Sequence, residues 1–347
     1  MEELNNQSNN NMLNPENPSP ENDLEKAHKK TKRYHGRYFI VMVLSLIIIE
    51  YYLYTFQVIL PNLNDNNFIN ITLILFFFNI IIFMMLLAYF ITMNTHPGQI
   101  PLYWGFYIGD DQYKRKRYCL ICNAFKPERS HHCSICNVCI LNMDHHCPWV
   151  HNCIGFYNRK YFMQLLFYLF ILLIYFDSTS FYFIVENFSN KKENIKFKSS
   201  VLVISNFVLI FGFTIIIFLF FKNHVNFVLN NSTTIESLET ETNEKLIKEY
   251  NEKINELNKD LNFNEDDNIK KILEEYKSKI NRLEIEELEK AKFKLKKKNN
   301  WEQVFGKSIF YWFIPIFTEE GKPDGDGLIW TINESIQNLI DQKNQKI

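Results

Sequence analysis

The residues with the clearest chemical potential in this chain are cysteines and histidines gathered in one short segment. All seven cysteines lie between Cys119 and Cys153. Two Cys-x-x-Cys pairs, Cys119 with Cys122 and Cys133 with Cys136, have the spacing of metal knuckles. The same segment holds most of the histidines, namely His131, His132, His145, His146 and His151. Such clustering favours metal or thiol chemistry at one place over a disulfide framework spread through a secreted fold.

The number of cysteines is informative because it is odd. A structural zinc site takes four tetrahedral ligands from thiolates and imidazoles, so two sites need eight. Six cysteines and two histidines would fill both sites and leave one of the seven cysteines over. An unligated cysteine held beside zinc and histidine is a candidate nucleophile. The spacing alone does not identify which cysteine is left over.

Four apolar runs supply the elements that must hold this segment. They cover residues 38–60, 68–93, 161–185 and 201–221, and each reaches the roughly 20 residues that cross a bilayer as a helix. Buried core helices of a large soluble protein are the alternative, but runs this long with so few charges favour membrane spans. The sequence therefore predicts an all-α integral membrane fold, with four transmembrane helices and a zinc-binding cysteine-rich domain between the second and third spans.

Lysine and arginine indicate how these spans are oriented. The flank before the first span, residues 94–160 and the region after Lys222 are all basic, whereas the loop 61–67 has no Lys or Arg. Positive residues mark the cytosolic side, so we expect both termini and the cysteine-rich domain in the cytosol of a multi-pass membrane protein. The loop 186–200 disagrees, since it carries four lysines on the opposite side. The sequence does not indicate the Golgi, the endoplasmic reticulum or the plasma membrane.

Residues 119–162 resemble the cysteine-rich domain of the DHHC palmitoyltransferases. The pattern C-x2-C-x9-HC-x2-C-x2-C-x4-DHHC-x5-C-x4-N-x3-F is matched at every position, from Cys119 to Phe162. The resemblance implies two interleaved structural Zn²⁺ sites. Their ligands are Cys119, Cys122, His132 and Cys139 in one, and Cys133, Cys136, His146 and Cys153 in the other. It also implies that Cys147 is the acylated cysteine, with His145 and Asp144 as its catalytic partners.

The implied activity is protein S-palmitoylation. Cys147 would accept the acyl group of palmitoyl-CoA, or another long-chain acyl-CoA, and pass it to cytosol-facing cysteines of membrane-associated proteins. His145 would take the thiol proton and Asp144 would hold the imidazole. A membrane zinc-finger scaffold without transfer activity is the alternative, but a scaffold has no need of a surplus thiol. Nucleic acid is not an expected partner, given four spans and a net charge of −1.

The resemblance further implies where acyl-CoA lies. Phe162 begins the third span, which places Cys147 at the cytosolic boundary of the lipid bilayer. Four residues of the cysteine-rich domain are then expected to contact the CoA phosphates: Arg117, Lys126, Arg129 and His131. Trp149 is expected to line the acyl entrance, unless it is an interfacial belt residue.

Three further features match or depart from the family pattern. Thr233 to Glu236 match its TTxE motif, so Thr234 and Glu236 are expected to bind back onto the active site, although a Ser/Thr run also reads as a helix cap. Asn300 belongs to an aromatic segment, 299–330, that resembles the family's membrane-associated C-terminal segment. His96 replaces the Asp of a family Asp-Pro-Gly turn; we expect the turn to survive without the Asp contact.

Glu50 lies near the middle of the first span, where an ionisable side chain is costly and usually faces the bundle interior. The resemblance places it at the deep end of the acyl cavity, opposite Leu172. We hypothesise that this pair affects the acyl chain length that is accepted. A structural hydrogen bond between spans is the alternative.

The remaining regions are polar. Residues 1–37 are expected to form a disordered basic tail. Residues 237–298, an insert in the C-terminal region 222–347, are dominated by Lys, Glu and Asn. Two heptad-like apolar series flank a polar break at 262–268, which predicts a helical hairpin or a short coiled coil with a helical partner for residues 244–298. A solvated insert with no partner is the alternative.

Overall fold

The computed structural model describes residues 37–63, 67–101, 104–105, 117–189, 197–261, 267–316, 318 and 322–345. The expected N-terminal tail and most of the polar break at 262–268 lie outside the described residues.

Four long apolar helices form a bundle, and they confirm the predicted architecture. They are α1 (Arg37–Asn62), α2 (Phe68–Asn94), α3 (Arg159–Ser189) and α4 (Phe197–Leu229). Each contains a segment long and apolar enough to cross a membrane. Helix α4 extends eight residues beyond the apolar run 201–221, to Leu229, because no Gly or Pro interrupts it before Asn231 adopts a left-handed φ of 46°.

The interior of the bundle is built from aromatic side chains. Tyr54 of α1 is fully buried and packs against Phe78 of α2 and Phe176 of α3, with ring centroids 4.2 and 4.9 Å apart. The outer faces of the spans are apolar as well, as Ile69 (73% exposed) and Phe83 (63% exposed) illustrate. Apolar residues exposed along whole helices suit a lipid environment, where the backbone bonds within each helix and the side chains face hydrocarbon.

Six short strands between α2 and α3 form three successive antiparallel hairpins. The first pairs β1 (Tyr118–Cys119) with β2 (Ala124–Phe125). The second pairs β3 (His131–Cys133) with β4 (Val138–Ile140). The third pairs β5 (His145–Cys147) with β6 (Asn152–Ile154).

The polar insert is a helical hairpin of α5 (Thr234–Leu261) and α6 (Asp267–Ala291). The rings of Tyr250 and Tyr276, both in the predicted heptad series, lie 5.4 Å apart between the two helices. Thr240 and Asn243 of α5 donate hydrogen bonds to Glu287 of α6. Of the structures that the pattern allowed, the hairpin is the one that forms, and the later helix α9 (Glu334–Asn344) packs against α6.

The aromatic C-terminal segment docks against the spans through α7 (Lys297–Phe305) and α8 (Phe310–Phe313). Val304 and Phe305 pack with Met163 of α3 and Val228 of α4. Asn300 is 1% exposed and donates to the carbonyl of Leu229, which ties this segment to the end of α4.

Candidate active site and metal centres

The three hairpins repeat one arrangement every 14 residues. Cys119, Cys133 and Cys147 each pair with the residue five positions later, across a four-residue turn. Each turn includes a residue in the left-handed region: Asn123, Asn137 and His151, with φ values of 51°, 57° and 49°. The first two hairpins carry a second cysteine three residues on, whereas the third carries Val150.

The hairpins interlock to form two metal centres. Each centre takes two cysteines from the turn of one hairpin and a cross-strand His–Cys pair from the next, because His132 faces Cys139 and His146 faces Cys153. The two sets are those expected from the resemblance: Cys119, Cys122, His132, Cys139 and Cys133, Cys136, His146, Cys153.

The donor atoms fit a tetrahedral zinc ion. Zinc at about 2.3 Å from sulfur and about 2.0–2.1 Å from nitrogen separates its ligand atoms by roughly 3.5–3.8 Å. The cysteine Sγ atoms lie 3.2–3.9 Å from the His132 Nδ1 and 3.4–3.7 Å from the His146 Nδ1. All the donor atoms of each set lie within 4.8 Å of one another.

Cys147 is the cysteine that belongs to neither set. It is 5% exposed and lies in an apolar cluster with Met85 and Ala88 of α2 and Phe162 and Leu165 of α3. The surplus thiol therefore sits where the cysteine-rich domain meets the ends of two spans.

Asp144 and His145 adjoin this thiol. The His145 Nδ1 lies 2.7 Å from the Asp144 Oδ2, and the His145 side chain also hydrogen-bonds to Cys147. The order Cys–His–Asp is that of a nucleophile, a general base and a carboxylate that orients the base.

The charges of this site favour an imidazolium. Burial opposes protonation of His145, but the hydrogen bonds to Asp144 and Cys147 outweigh it and raise the pKa of His145 to about 9. Burial alone would raise the pKa of Asp144, but the hydrogen bond from His145 and the charge of Arg159 hold it well below its usual range. A carboxylate and a ready proton acceptor thus stand beside the free thiol.

Known proteins share this arrangement. Residues 112–241 match the family model described as DHHC palmitoyltransferase. A relative named "Probable protein S-acyltransferase 13", from Arabidopsis thaliana, is 30% identical over 279 residues, which cover 72% of this chain and 74% of the relative. This chain belongs to the DHHC palmitoyltransferase family. It is an acyltransferase, and the resemblance seen in the sequence is confirmed.

Two more relatives bracket the similarity. "Probable protein S-acyltransferase 14" of Arabidopsis thaliana is 28% identical over 308 residues, covering 82% of this chain and 86% of the relative. "Palmitoyltransferase ZDHHC20" of Bos taurus is 54% identical over 66 residues, 19% of this chain and 18% of the relative. Similarity to the plant relatives spans most of the chain, whereas the bovine match is short and closer.

The TTxE motif of this palmitoyltransferase reaches the active site directly. The Thr234 amide donates to the Asp144 Oδ1 at 2.9 Å, and the Thr234 hydroxyl donates to Oδ2 at 2.8 Å. The Thr233 amide donates to Glu236, whose own amide donates back to the Thr233 hydroxyl. The motif is also a helix cap, since Thr233 precedes the first residue of α5.

Arg129 differs from its expected role as a CoA contact. It is 3% exposed, and its guanidinium donates to both carboxylate oxygens of Glu236 and to the Asn231 side chain and carbonyl. The rings of Phe293 and Trp330 cover the guanidinium at 5.2 and 4.5 Å. With its donors engaged and its faces covered, Arg129 anchors the TTxE motif and offers no open face to a phosphate.

The other expected CoA contacts stay together at the domain surface. Arg117 and Lys126 flank the first hairpin, and the Lys126 amide donates to the Arg117 carbonyl at 2.6 Å. His131 lies close enough to both for their charges to lower its pKa, although burial lowers it more. Trp149 is 53% exposed, with its ring edge-on to Phe39 of α1 at 5.5 Å, a position that suits both an acyl entrance and an interfacial belt.

The intramembrane pair is separated into two roles. The Asn206 amide of α4 donates to the Glu50 carboxylate at 3.0 Å, so the structural hydrogen bond between spans is present. Leu172 packs against the apolar cluster around Cys147 and also against the deeper aromatic cluster around Tyr54.

The turn after α2 survives the replacement of Asp by His96. A side-chain contact is present there after all, because the Gly98 amide donates to the His96 Nδ1 at 3.1 Å. Gly98 has a φ of 105°, a conformation that favours glycine.

Sequence reasoning missed several residues that hold the site. Arg159 and His224 approach the Asp144 carboxylate at 3.6 and 4.0 Å. The Asn152 amide donates to the carbonyls of Thr92, Met93 and Thr95 at the end of α2. The 14-residue repeat was a usable signal, because aligning the three Cys-x-x positions identifies Cys147 as the surplus thiol without any relative.

Proposed function

We propose that this enzyme transfers a long-chain acyl group, palmitoyl in the first instance, from acyl-CoA to Cys147 and then to cysteine thiols of membrane-associated proteins at the cytosolic face. One observation carries the proposal: Cys147 lies outside both metal centres, beside His145, in an apolar cluster at the ends of the spans. The Lys and Arg distribution supports cytosolic placement of this site and of both termini.

The first step forms a thioester on the enzyme. The Cys147 Sγ attacks the thioester carbon of acyl-CoA while His145 takes the thiol proton. The bond between that carbon and the CoA sulfur then breaks, and His145 returns the proton to the CoA thiolate. In the second step the substrate cysteine attacks the acyl–Cys147 thioester, His145 takes its proton, and Cys147 leaves as a thiol. The net change is exchange of one thioester for another.

The surroundings of Cys147 suit both halves of the donor. The apolar cluster between α2 and α3 accepts the acyl chain, while Arg117, Lys126 and His131 face the side where the phosphates of CoA would remain in water. Zinc, when bound, supplies structural closure of the hairpins, because each set already provides four protein ligands and leaves no open position.

The transfer reaction is tested with purified protein and palmitoyl-CoA. Wild type should acquire an acyl label that hydroxylamine removes, and should pass it to a cysteine peptide, whereas Cys147→Ser should acquire none. Zinc content should stay at two ions per chain in Cys147→Ser. Loss of zinc in that variant would show that Cys147 is a ligand, and unlabelled wild type that keeps its zinc would favour the scaffold function.

The chain-length hypothesis follows from the position of Leu172 between the two apolar clusters. An acyl chain running from Cys147 toward the Tyr54 cluster would pass this side chain, and Glu50 lies on a neighbouring span. Leu172→Tyr should shift the preference toward shorter acyl-CoAs in competition assays, and Glu50→Leu serves as the paired variant. Unchanged preference in both variants would reject the hypothesis.

A further inference from the structure

The carboxylate of Asp144 is enclosed on every side. It is 1% exposed, and its Oδ2 is taken by His145 and the Thr234 hydroxyl, while its Oδ1 accepts the Thr234 amide. His224 of α4 approaches Oδ2 at 4.0 Å. Burying a charge this deeply is costly unless an opposite charge compensates it.

Arg159, the first residue of α3, supplies that opposite charge. Its guanidinium is 2% exposed, and its Nη2 lies 3.6 Å from the Asp144 Oδ1, on the side away from His145. The same Nη2 donates to the Ser232 carbonyl at 2.6 Å. The Nε and Nη1 atoms are buried without a hydrogen-bond partner in the described part of the chain. A fully desolvated guanidinium with two unused nitrogens is expensive, so packing alone does not account for it.

The catalytic cycle explains why a second cation is needed. His145 gains and loses a proton in each half-reaction of the proposed function, so the charge that it offers Asp144 alternates. An arginine is permanently charged. We propose that Arg159 is a positioning residue, the fixed counter-ion that keeps Asp144 ionised and oriented through the states in which His145 is neutral. It acts through Asp144 and touches neither the acyl group nor Cys147.

The inference rests on the proposed function but is tested on the thiol itself. The rate of alkylation of Cys147 by iodoacetamide is measured by peptide mass spectrometry on the purified full-length chain, beside the rate of autoacylation by palmitoyl-CoA. Arg159→Gln, which keeps a donor for the Ser232 carbonyl and loses the charge, should slow both rates by about 10- to 100-fold, the usual effect of losing an outer-shell partner. Arg159→Lys should recover both to within about fivefold, because the charge returns without the fork geometry.

A double-mutant cycle separates positioning from a structural role. In an Asp144→Ala background, Arg159→Gln should change either rate by less than about twofold, since the group through which it acts is gone. Lys160→Gln is the matched control: Lys160 is fully buried on the same turn, but its ammonium lies over the rings of Tyr161 and Tyr311 at 5.9 Å, and its loss should leave the alkylation rate within about twofold.

Three results would overturn the inference: an equal loss in the Asp144→Ala background, an equal loss in Lys160→Gln, or an Arg159→Lys variant as slow as Asp144→Ala. Should Arg159→Gln lose its zinc, the Arg159→Lys comparison decides alone. If wild type takes no acyl label while the alkylation pattern holds, the proposed function fails and the role of Arg159 stands.

Discussion

The second and third hairpins of the cysteine-rich domain have the same backbone and different chemistry. Cys133 and Cys147 begin equivalent turns, pair with Val138 and Asn152 in the same register, and are both buried. Cys133 joins a metal set and Cys147 does not. The turn of the third hairpin has Val150 where the second has Cys136, and a span follows it in place of a further hairpin with a His–Cys pair. A cysteine thus becomes a ligand or a nucleophile according to what stands three residues away and what comes next along the chain.

The third hairpin is held without a metal of its own at its turn. The Asn152 amide satisfies three carbonyls at the C-terminus of α2, where helix carbonyls lack partners. Asp144 is held by Thr234. Hydrogen bonds and buried charges replace the zinc ligands, which leaves the sulfur available for reaction.

The largest expected contrast is between Cys133→Ser and Cys147→Ser. Cys133→Ser should lose the second zinc and the fold of the domain, because a structural zinc site contributes about 10–16 kcal/mol to folding. Cys147→Ser should keep both ions. Zinc analysis and thermal unfolding of the two variants, side by side, make the comparison; equal zinc loss would show that the hairpins do not differ.

A smaller loss is expected from Glu236→Gln. Glu236 is 7% exposed and holds Arg129 at 2.7 Å, and removing one partner of a buried ion pair typically costs about 3–5 kcal/mol. The free energy of unfolding should fall and autoacylation with it, while Glu302→Gln, a pair member at 3.7 Å from the exposed Lys298, should change little. A variant as stable as wild type would remove the ion pair from the support of the third hairpin.

The same variant has a pH signature. Burial tends to raise the pKa of Glu236, but the charge and hydrogen bonds of Arg129 outweigh it, and the net shift is downward. A carboxyl whose pKa is lowered in the folded state stabilises the fold above its ordinary range and loses this contribution as the pH falls. Wild type should therefore lose more stability than Glu236→Gln between about pH 6 and pH 4. Parallel pH curves would contradict the assignment.

Asn152→Ala should loosen the third hairpin and spare the metal centres. It leaves three carbonyls at the end of α2 without their donor, for which about 1–3 kcal/mol is the usual cost of an unsatisfied buried group. Amide hydrogen exchange should rise at β5 and β6 and stay unchanged at β3 and β4. Uniform exchange in all three hairpins would mean that they are held as one unit.

The smallest effect is expected from Val150→Cys, which restores the second knuckle cysteine. Zinc content should stay at two ions per chain, because no later hairpin provides the missing His–Cys pair. The loss of packing at a residue that is 1% exposed should cost about 0.5–1.5 kcal/mol. A third bound zinc would show that the turn alone decides between ligand and nucleophile.

The sequence predicted the spans and the metal ligands well because their signals are local. Hydropathy runs and Cys-x-x-Cys spacings depend on near neighbours, and the helical hairpin followed from its heptads. Arg159, His224 and Asn152 could not be predicted in the same way, since each acts on a group 15 or more residues away or across the bundle. Arg129 was misplaced for the related reason that a basic residue looks alike in sequence whether it meets a phosphate or a buried glutamate.

Thr234 has two positions in the molecule at once: it is the first residue of α5 and the residue that grips Asp144. Helix α5 has 28 residues, so at 1.5 Å per residue it is a rod of about 42 Å hinged at the active site. A protein that seized the far tip of this rod would tilt Thr234 and, with it, the carboxylate that orients the base. The hairpin thereby gives the cytosol a mechanical handle on a sulfur that lies at the edge of the lipid.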